Sequence, residues 1–154
     1  MMNLIFAVIA AVIITGDRLS KMWVMNNVTL GERFCGIDGF IGFLYAQNKG
    51  AAFSLMSGKL GLLSIISVLF CVAVVVYWIV KKPSNKLFCT ALMLMTAGAA
   101  GNGFDRIAYG YVVDFIATEF IDFPVFNIAD IAITVGAGLL VLYAILFDEG
   151  KEKK

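Results

Sequence analysis

The sequence predicts an all-α polytopic membrane protein of four transmembrane helices, with a small extracytoplasmic and partly β platform between the first two. Three observations predict it. The 154 residues are 61% hydrophobic and only 15% charged, far more apolar than a soluble domain of that length needs to be. Four apolar runs, 3–26, 60–80, 87–106 and 128–147, match the roughly 20 helical residues that cross a bilayer. Apart from Asn3, the ionisable and amide residues of these runs collect near one end of the first, third and fourth, so that they share one depth.

Each element has its own signal. The first run carries Asp17, Arg18 and Lys21 in its second half. A cleaved signal peptide would offer a similar apolar stretch, but the cationic leading region is missing and the helical pattern continues through Asp17 to Trp23, so the run reads as a retained span. The segment 27–59 mixes Gly31, Gly36, Gly39 and Gly42 with Phe34, Ile37, Phe40, Ile41, Phe43, Leu44 and Tyr45. It reads as a platform on the membrane surface, although an ordinary apolar loop packed on helix ends would share that composition. The second run has no charge, reaches the interfacial pair Tyr77-Trp78 and stops at Lys81-Lys82. In the third, Gly98, Ala99, Ala100 and Gly101 fit close helix packing better than a phosphate cradle. The fourth opens on Asn127-x-x-Asp130, which has the form of an N-cap followed by an acid in the first turn. It echoes Asn102-x-x-Asp105 at the end of the third.

Loop charge sets the expected orientation. The 81–86 turn and the tail hold six Lys residues, against three cations (Arg33, Lys49 and Lys59) between the first two runs. The positive-inside rule then places both termini and that turn in the cytoplasm. Counting Arg18, Lys21 and Arg106 on the outer side brings the two sides level.

Several chemistries are excluded or disfavoured. A net charge of +1 gives no basic field for nucleic acid, and the 151–154 lysines alternate with Glu152 as in a solvated tail. Cys35, Cys71 and Cys89 form no CxxC pair and indicate neither a disulfide framework nor a zinc site. No cofactor or metal is expected. The absence of histidine removes Ser-His-Asp and Cys-His nucleophiles and the HExxH metalloproteases. Ser20 and Lys21 are adjacent and diverge on a helix, and Ser54 has no identifiable base, so a Ser-Lys dyad is a poor alternative.

What remains is a layer of carboxyls and amides. Asp17 lies about 14 residues along the first span, roughly 21 Å from its start at 1.5 Å per residue. Asn102, Asp105 and Arg106 end the third span on the same side, Asn127 and Asp130 begin the fourth there, and Asp114 falls in the short connection between them. Ionisable groups at membrane depth are costly and mark functional sites by default. Asp17 and Lys21, four apart, share a helix face and can pair; such a pair serves structure as readily as function. Asp105 and Arg106 face different ways, so each needs a partner from another segment. Asp114 is flanked by Val112, Val113, Phe115 and Ile116, without a cation at three or four residues' distance, and should resist ionisation. Two carboxyls in the contrasting settings of Asp114 and Asp130 can share a proton and divide the acid and base roles on water.

These motifs carry a resemblance. Asp17 with Lys21, Asn48-Lys49-Gly50-Ala51-Ala52-Phe53, Gly101-Asn102-Gly103-Phe104-Asp105-Arg106, Val112-Val113-Asp114-Phe115-Ile116 and Phe126-Asn127-Ile128-Ala129-Asp130 resemble, in order and over nearly the whole chain, the motif blocks of the bacterial lipoprotein signal peptidases, or signal peptidase II. Each block is weak alone; five in a four-span chain are specific. The resemblance implies an intramembrane aspartyl endopeptidase of the bacterial cytoplasmic membrane, acting at the outer leaflet as a monomer and without a cofactor. The family's catalytic aspartates fall on Asp114 and Asp130, and its supporting residues on Asp17, Lys21, Asn48, Gly50, Asn102, Asp105, Arg106 and Asn127. The implied partners are membrane lipid and a prolipoprotein carrying diacylglyceryl on its cysteine, cut on the amino side of that cysteine. Two positions depart from the pattern: Ala97 stands where a glycine usually opens the Gly-Asn-Asp-Arg block, and Ile131 where a small or polar residue is frequent.

Other classes are a cation or proton carrier using Asp105, Asp114 and Asp130, and a scaffold with a polar docking surface. A carrier needs a conducting path. No ionisable residue stands between Lys59 and Lys81, Lys86 and Asp105, or Asp130 and Asp148, and a site open to one side favours the enzyme.

Overall fold

The computed structural model describes residues 2–50 and 58–148. In chain order these form α1 (Met2–Asn27), β1 (Arg33–Ile37), β2 (Ile41–Asn48), α2 (Leu60–Lys81), α3 (Lys86–Tyr109), β3 (Val112–Thr118) and α4 (Ile128–Asp148). Three helices, α2, α3 and α4, are long and apolar enough to cross a membrane. The side chains they turn outward are those lipid would solvate: Ile65, Leu69, Val72 and Val76 on α2, and Val135, Val141, Ile145 and Leu146 on α4, are all exposed. Helix α1 is equally apolar outside, with Leu4, Val8, Val12 and Leu19 exposed, but turns Asp17 and Lys21 to the interior.

The centre of the bundle is α3, against which α1, α2 and α4 all pack. Its small residues permit this. A methyl on Gly98 would collide with the Ala129 carbonyl, and one on Gly101 would stand 2.7 Å from Asp17 Oδ2 and 3.3 Å from Ala129 Cβ. Gly136 answers from α4, where a methyl would meet Met95 Cγ at 2.7 Å and the Ala91 carbonyl at 2.8 Å. The small-residue stretch in the third run is thus a packing surface, as read from the sequence. The Asn85 side chain caps α3 by accepting from the Phe88 amide at 3.1 Å. Gly110 ends α3 in the left-handed region at φ 74°, so the helix runs three residues past the end expected at Arg106.

The platform is a three-stranded antiparallel sheet ordered β1-β2-β3. Two strands come from the segment expected to be partly β. The third corrects the expectation that Asp114 stands in a short connection, since it lies within β3, opposite Ala46 of β2. One face packs on the end of α1, with Val24 and Val28 buried among Tyr45, Val113 and Phe115. Between Phe43 and Ala46, β2 has one residue more than β3 opposite. An odd extra residue shifts the alternation of a strand. Here it brings Asn48, two residues beyond Ala46, onto the face that carries Asp114.

Candidate active site

Six polar or charged residues among those described are buried, namely Asp17, Lys21, Asn102, Asp105, Asp114 and Asn127, and all belong to one cluster. Lys21 is its centre. The ammonium is fully buried and donates to Asp17 Oδ2 at 2.8 Å, Asn102 Oδ1 at 2.9 Å and Asp105 Oδ2 at 3.0 Å. Three hydrogens meet three acceptors, so this buried cation is satisfied. Asp17 turns its other oxygen to the Ala129 amide at 2.9 Å, capping an orphan donor in the first turn of α4 from another helix. Asp105 also accepts from the Val113 amide at 3.3 Å and pairs through Oδ1 with Arg18 Nη1 at 3.2 Å.

Asn127 and Asp130 form a reciprocal cap at the start of α4. Asn127 Oδ1 accepts from the Asp130 amide at 2.9 Å, and Asp130 Oδ2 accepts from the Asn127 amide at 3.2 Å. The local helix-start reading of this pair is therefore correct, yet it leaves the Asn127 amide group free for work elsewhere. Its Nδ2 reaches Asp114 Oδ1 at 2.7 Å, Asn102 Oδ1 at 3.1 Å and the Val113 carbonyl at 3.3 Å. Asn102 Nδ2 donates to Asp130 Oδ1 at 2.7 Å, and Asn48 Nδ2 to Asp114 Oδ2 at 3.0 Å. Asn48 is itself oriented by accepting from the Gly50 amide at 2.9 Å.

The four acids thus fall into two kinds. Asp17 and Asp105 hold cations. Among the described residues, Asp114 and Asp130 are held only by amide N–H donors, one on each of their four oxygens.

Beside them is a cavity of about 390 Å³, whose polar wall is Asn48, Asn102, Arg106 and Asp130 and whose apolar wall includes Phe123, Phe126, Ile131 and Val135. Asp114 lies just behind the wall on Asn48 and Asn127. Arg106 reaches the Gly50 carbonyl at 3.5 Å while its Nε is buried without a hydrogen-bond partner among the described residues. Every site residue named from the sequence is therefore in the cluster or on this wall except Gly50, which bonds to Asn48 and Arg106 of the wall; Ala51, Ala52, Phe53 and Ser54 lie outside the described residues. Sequence reasoning missed the backbone groups of Val113 and Ala129 and the loop wall at Phe123. Backbone groups carry no residue-type signal, and an exposed Phe in a loop gives none.

The Asp114 carboxyl is raised from its ordinary 3.8 to about 7, by burial first and by the Asp130 charge second, against the opposing amides of Asn48 and Asn127 and charge of Lys21. An acid whose folded pKa is raised contributes stability that is complete below about pH 4 and lost as pH climbs through about 7. Asp114→Asn should therefore gain on the unchanged chain as pH rises, with a Tm advantage larger at pH 8 than at pH 4.5. Parallel melting curves at the two pH values check this.

Lipid-facing helices around a buried carboxyl cluster and a cavity define a polytopic membrane protein with an interior polar site. The family model described as signal peptidase (SPase) II matches residues 9–146. The lipoprotein signal peptidase of Clostridium acetobutylicum is 37% identical over 149 residues, covering 95% of this chain and 97% of that protein. Its counterpart in Halalkalibacterium halodurans is 39% identical over 153 residues, 98% and 97% of the two. A solved bacterial membrane enzyme superposes with a TM-score of 0.89 at 33% identity, over 97% of this chain and 92% of that one. The chain belongs to the signal peptidase II family and is a protease.

Proposed function

We propose that this chain removes the signal peptide from prolipoproteins already carrying a diacylglyceryl group, cutting on the amino side of the lipidated cysteine, with Asp114 and Asp130 as the catalytic pair. The observation that carries the assignment is the division among the acids. A carboxylate fixed to a cation cannot readily take a proton, whereas two neighbouring carboxyls held only by amides, with Asp114 raised to about 7, can share one. One aspartate takes the proton of the attacking water while the other, protonated, hydrogen-bonds the scissile carbonyl. The tetrahedral intermediate then collapses as a proton is passed to the leaving amine. Asn102 and Asn127 hold the pair in register. Arg106, with Gly50 at its tip, lines the cavity and sets a positive charge beside Asp130.

Asp17, Lys21 and Asp105 are the frame that locks α1 and α3 around the site. With its ionisable residues turned inward, α1 is the fourth transmembrane span. Both termini and the 81–86 turn are cytoplasmic, the sheet lies on the outer face, and the substrate enters from the outer leaflet. The lysine distribution and the depth of Asp17 support this orientation. Reporter fusions after Lys82 and at the tail should score inside and one near Gly39 outside; the reverse pattern would put the aspartates in the wrong leaflet.

The apolar wall of the cavity, Phe123, Ile131 and Val135 among it, is suited to acyl chains, so binding energy remote from the scissile bond supports the chemistry. Purified protein given one precursor in lipidated and unlipidated forms should cleave the lipidated form at least about 100-fold faster by kcat/KM, the scale on which remote binding energy acts. Equal rates would refute the substrate assignment.

A further inference from the structure

Lys21 divides one ammonium among three acceptors of unequal strength. All three bonds carry the charge of the ammonium, but only Asp17 and Asp105 set an opposite charge against it, so of the three acceptors Asn102 is held least firmly. Yet its orientation matters most for the site. While Asn102 Oδ1 accepts from Lys21 at 2.9 Å, its Nδ2 must point the other way, and there it donates to Asp130 Oδ1 at 2.7 Å. A rotated amide would set an oxygen against the Asp130 carboxylate. Asp105 presents Lys21 a single oxygen, which leaves the ammonium shared with Asn102.

Arg18 enforces that condition. Its Nη1 holds Asp105 Oδ1 at 3.2 Å, leaving Oδ2 for Lys21 at 3.0 Å. The guanidinium is fixed in turn, because Nη2 donates to the Tyr109 hydroxyl and the group lies 4.7 Å from the Phe104 ring centre and 4.9 Å from that of Tyr109. A planar cation set against two aromatic rings and a hydroxyl keeps one orientation, which an ammonium on a flexible stem does not. Arg18 is adjacent to Asp17 in sequence but reaches α3, while Asp17 caps α4. Its side chain is 26% exposed and stands outside the buried cluster.

We propose that Arg18 is a positioning residue for Asp130, acting through Asp105, Lys21 and Asn102; this rests on the assignment of Asp130 to the catalytic pair. Without Arg18, both oxygens of Asp105 compete for Lys21, the ammonium leaves Asn102, and Asp130 loses the donor that orients it. Substrate contacts are untouched.

The test is steady-state cleavage of the lipidated precursor by the full-length protein in detergent, with melting curves, for Arg18→Gln, Arg18→Lys, Tyr109→Phe, Asp114→Asn and Asp130→Asn. Arg18→Gln should lower kcat about tenfold with KM within about twofold, the pattern of a defect in the chemical step. Arg18→Lys restores a charge opposite Asp105 and should return kcat to within about threefold of the unchanged chain. Tyr109→Phe, which frees the guanidinium but keeps the ion pair, should cost roughly twofold to threefold in kcat at unchanged Tm. Full kcat in Arg18→Gln, a loss confined to KM, or a loss that tracks Tm and is not restored by lysine would overturn the proposal. Should Arg18→Gln fail to fold, Tyr109→Phe decides alone, and unchanged kcat there overturns it. Dead aspartate variants beside a fully active Arg18→Gln would sink only the role of Arg18; cleavage by either aspartate variant would sink the catalytic pair.

Discussion

Asp114→Asn and Asp130→Asn should each lower the rate of prolipoprotein cleavage by about three orders of magnitude or more, the upper range for loss of general acid–base catalysis. An asparagine keeps the shape of the aspartate and can still meet Asn48, Asn102 or Asn127, but it neither takes a proton from water nor returns one to the leaving amine. In the proposed mechanism both carboxyls act on one shared proton, so they act as a unit and their losses should not add. The double variant should be hardly slower than either single one. Each single variant should still bind lipidated precursor, because the cavity wall is kept and a like-charge repulsion between neighbouring acids is relieved. Turnover and precursor affinity of the two singles and the double, in one detergent, measure this. A carrier using these oxygens as ion ligands would instead lose affinity in graded steps. Substantial cleavage by either single variant would shift the assignment towards Asp105.

The second large effect is on stability and has the opposite sign from that of the Asp114 change. Asp17→Asn leaves the fully buried Lys21 one carboxylate short and weakens the cap that Asp17 Oδ1 places on the Ala129 amide. Removing one partner of a buried pair costs about 3–5 kcal/mol. Asp105 remains as a second partner here, so the lower end applies. About 3 kcal/mol corresponds to a loss on the order of 10 °C in Tm for a chain of this length. Replacing the pair together, as Asp17→Asn with Lys21→Met, should recover part of that loss, because an apolar isostere leaves no uncompensated charge. Melting curves for the two single variants and the double test it. A fully stable Asp17→Asn would mean that the ion pair does not hold α1 against α3 and α4.

Ordering the acids by stability effect therefore separates the two kinds that the geometry distinguishes. Loss of a cation-bound carboxylate should destabilise, and loss of the Asp114 carboxylate should stabilise at high pH while abolishing turnover. Natural active sites carry this conflict because the function needs groups that the fold would rather not bury.

Much of the scaffold is legible one segment at a time. An apolar run of about 20 residues needs no partner to be read as a helix suited to lipid. The Asp17–Lys21 pair, the Asn127 cap and the small-residue face of α3 follow from helical spacing alone. The strand β3 does not. Val112 to Ile116 lacks the polar–apolar alternation of a half-exposed strand, because Val112, Val113, Asp114 and Phe115 are all buried. Its strand character rests on hydrogen bonds to β2, more than 60 residues away in sequence, as the pairing of Asn48 with Val112 shows.

The sequence by itself determined the inventory of the site: which acids, amides and cations exist, that no histidine or cysteine pair can do the chemistry, and that four separate segments carry the polar residues. Helical spacing already pairs Asp17 with Lys21, but only the tertiary structure decided that Asp105 receives cations as well and that Asp114 and Asp130 are held by amides. Lys21 and Asp105 are 84 positions apart and Arg18 and Asp105 are 87 apart, and they meet because Gly101 lets Asp17 and its helix come within contact of α3. The bulge in β2 similarly gives Asp114 an amide from Asn48. Helical spacing reports partners within one helix, whereas a carboxyl's access to a proton depends on what the packing of distant segments sets against each oxygen.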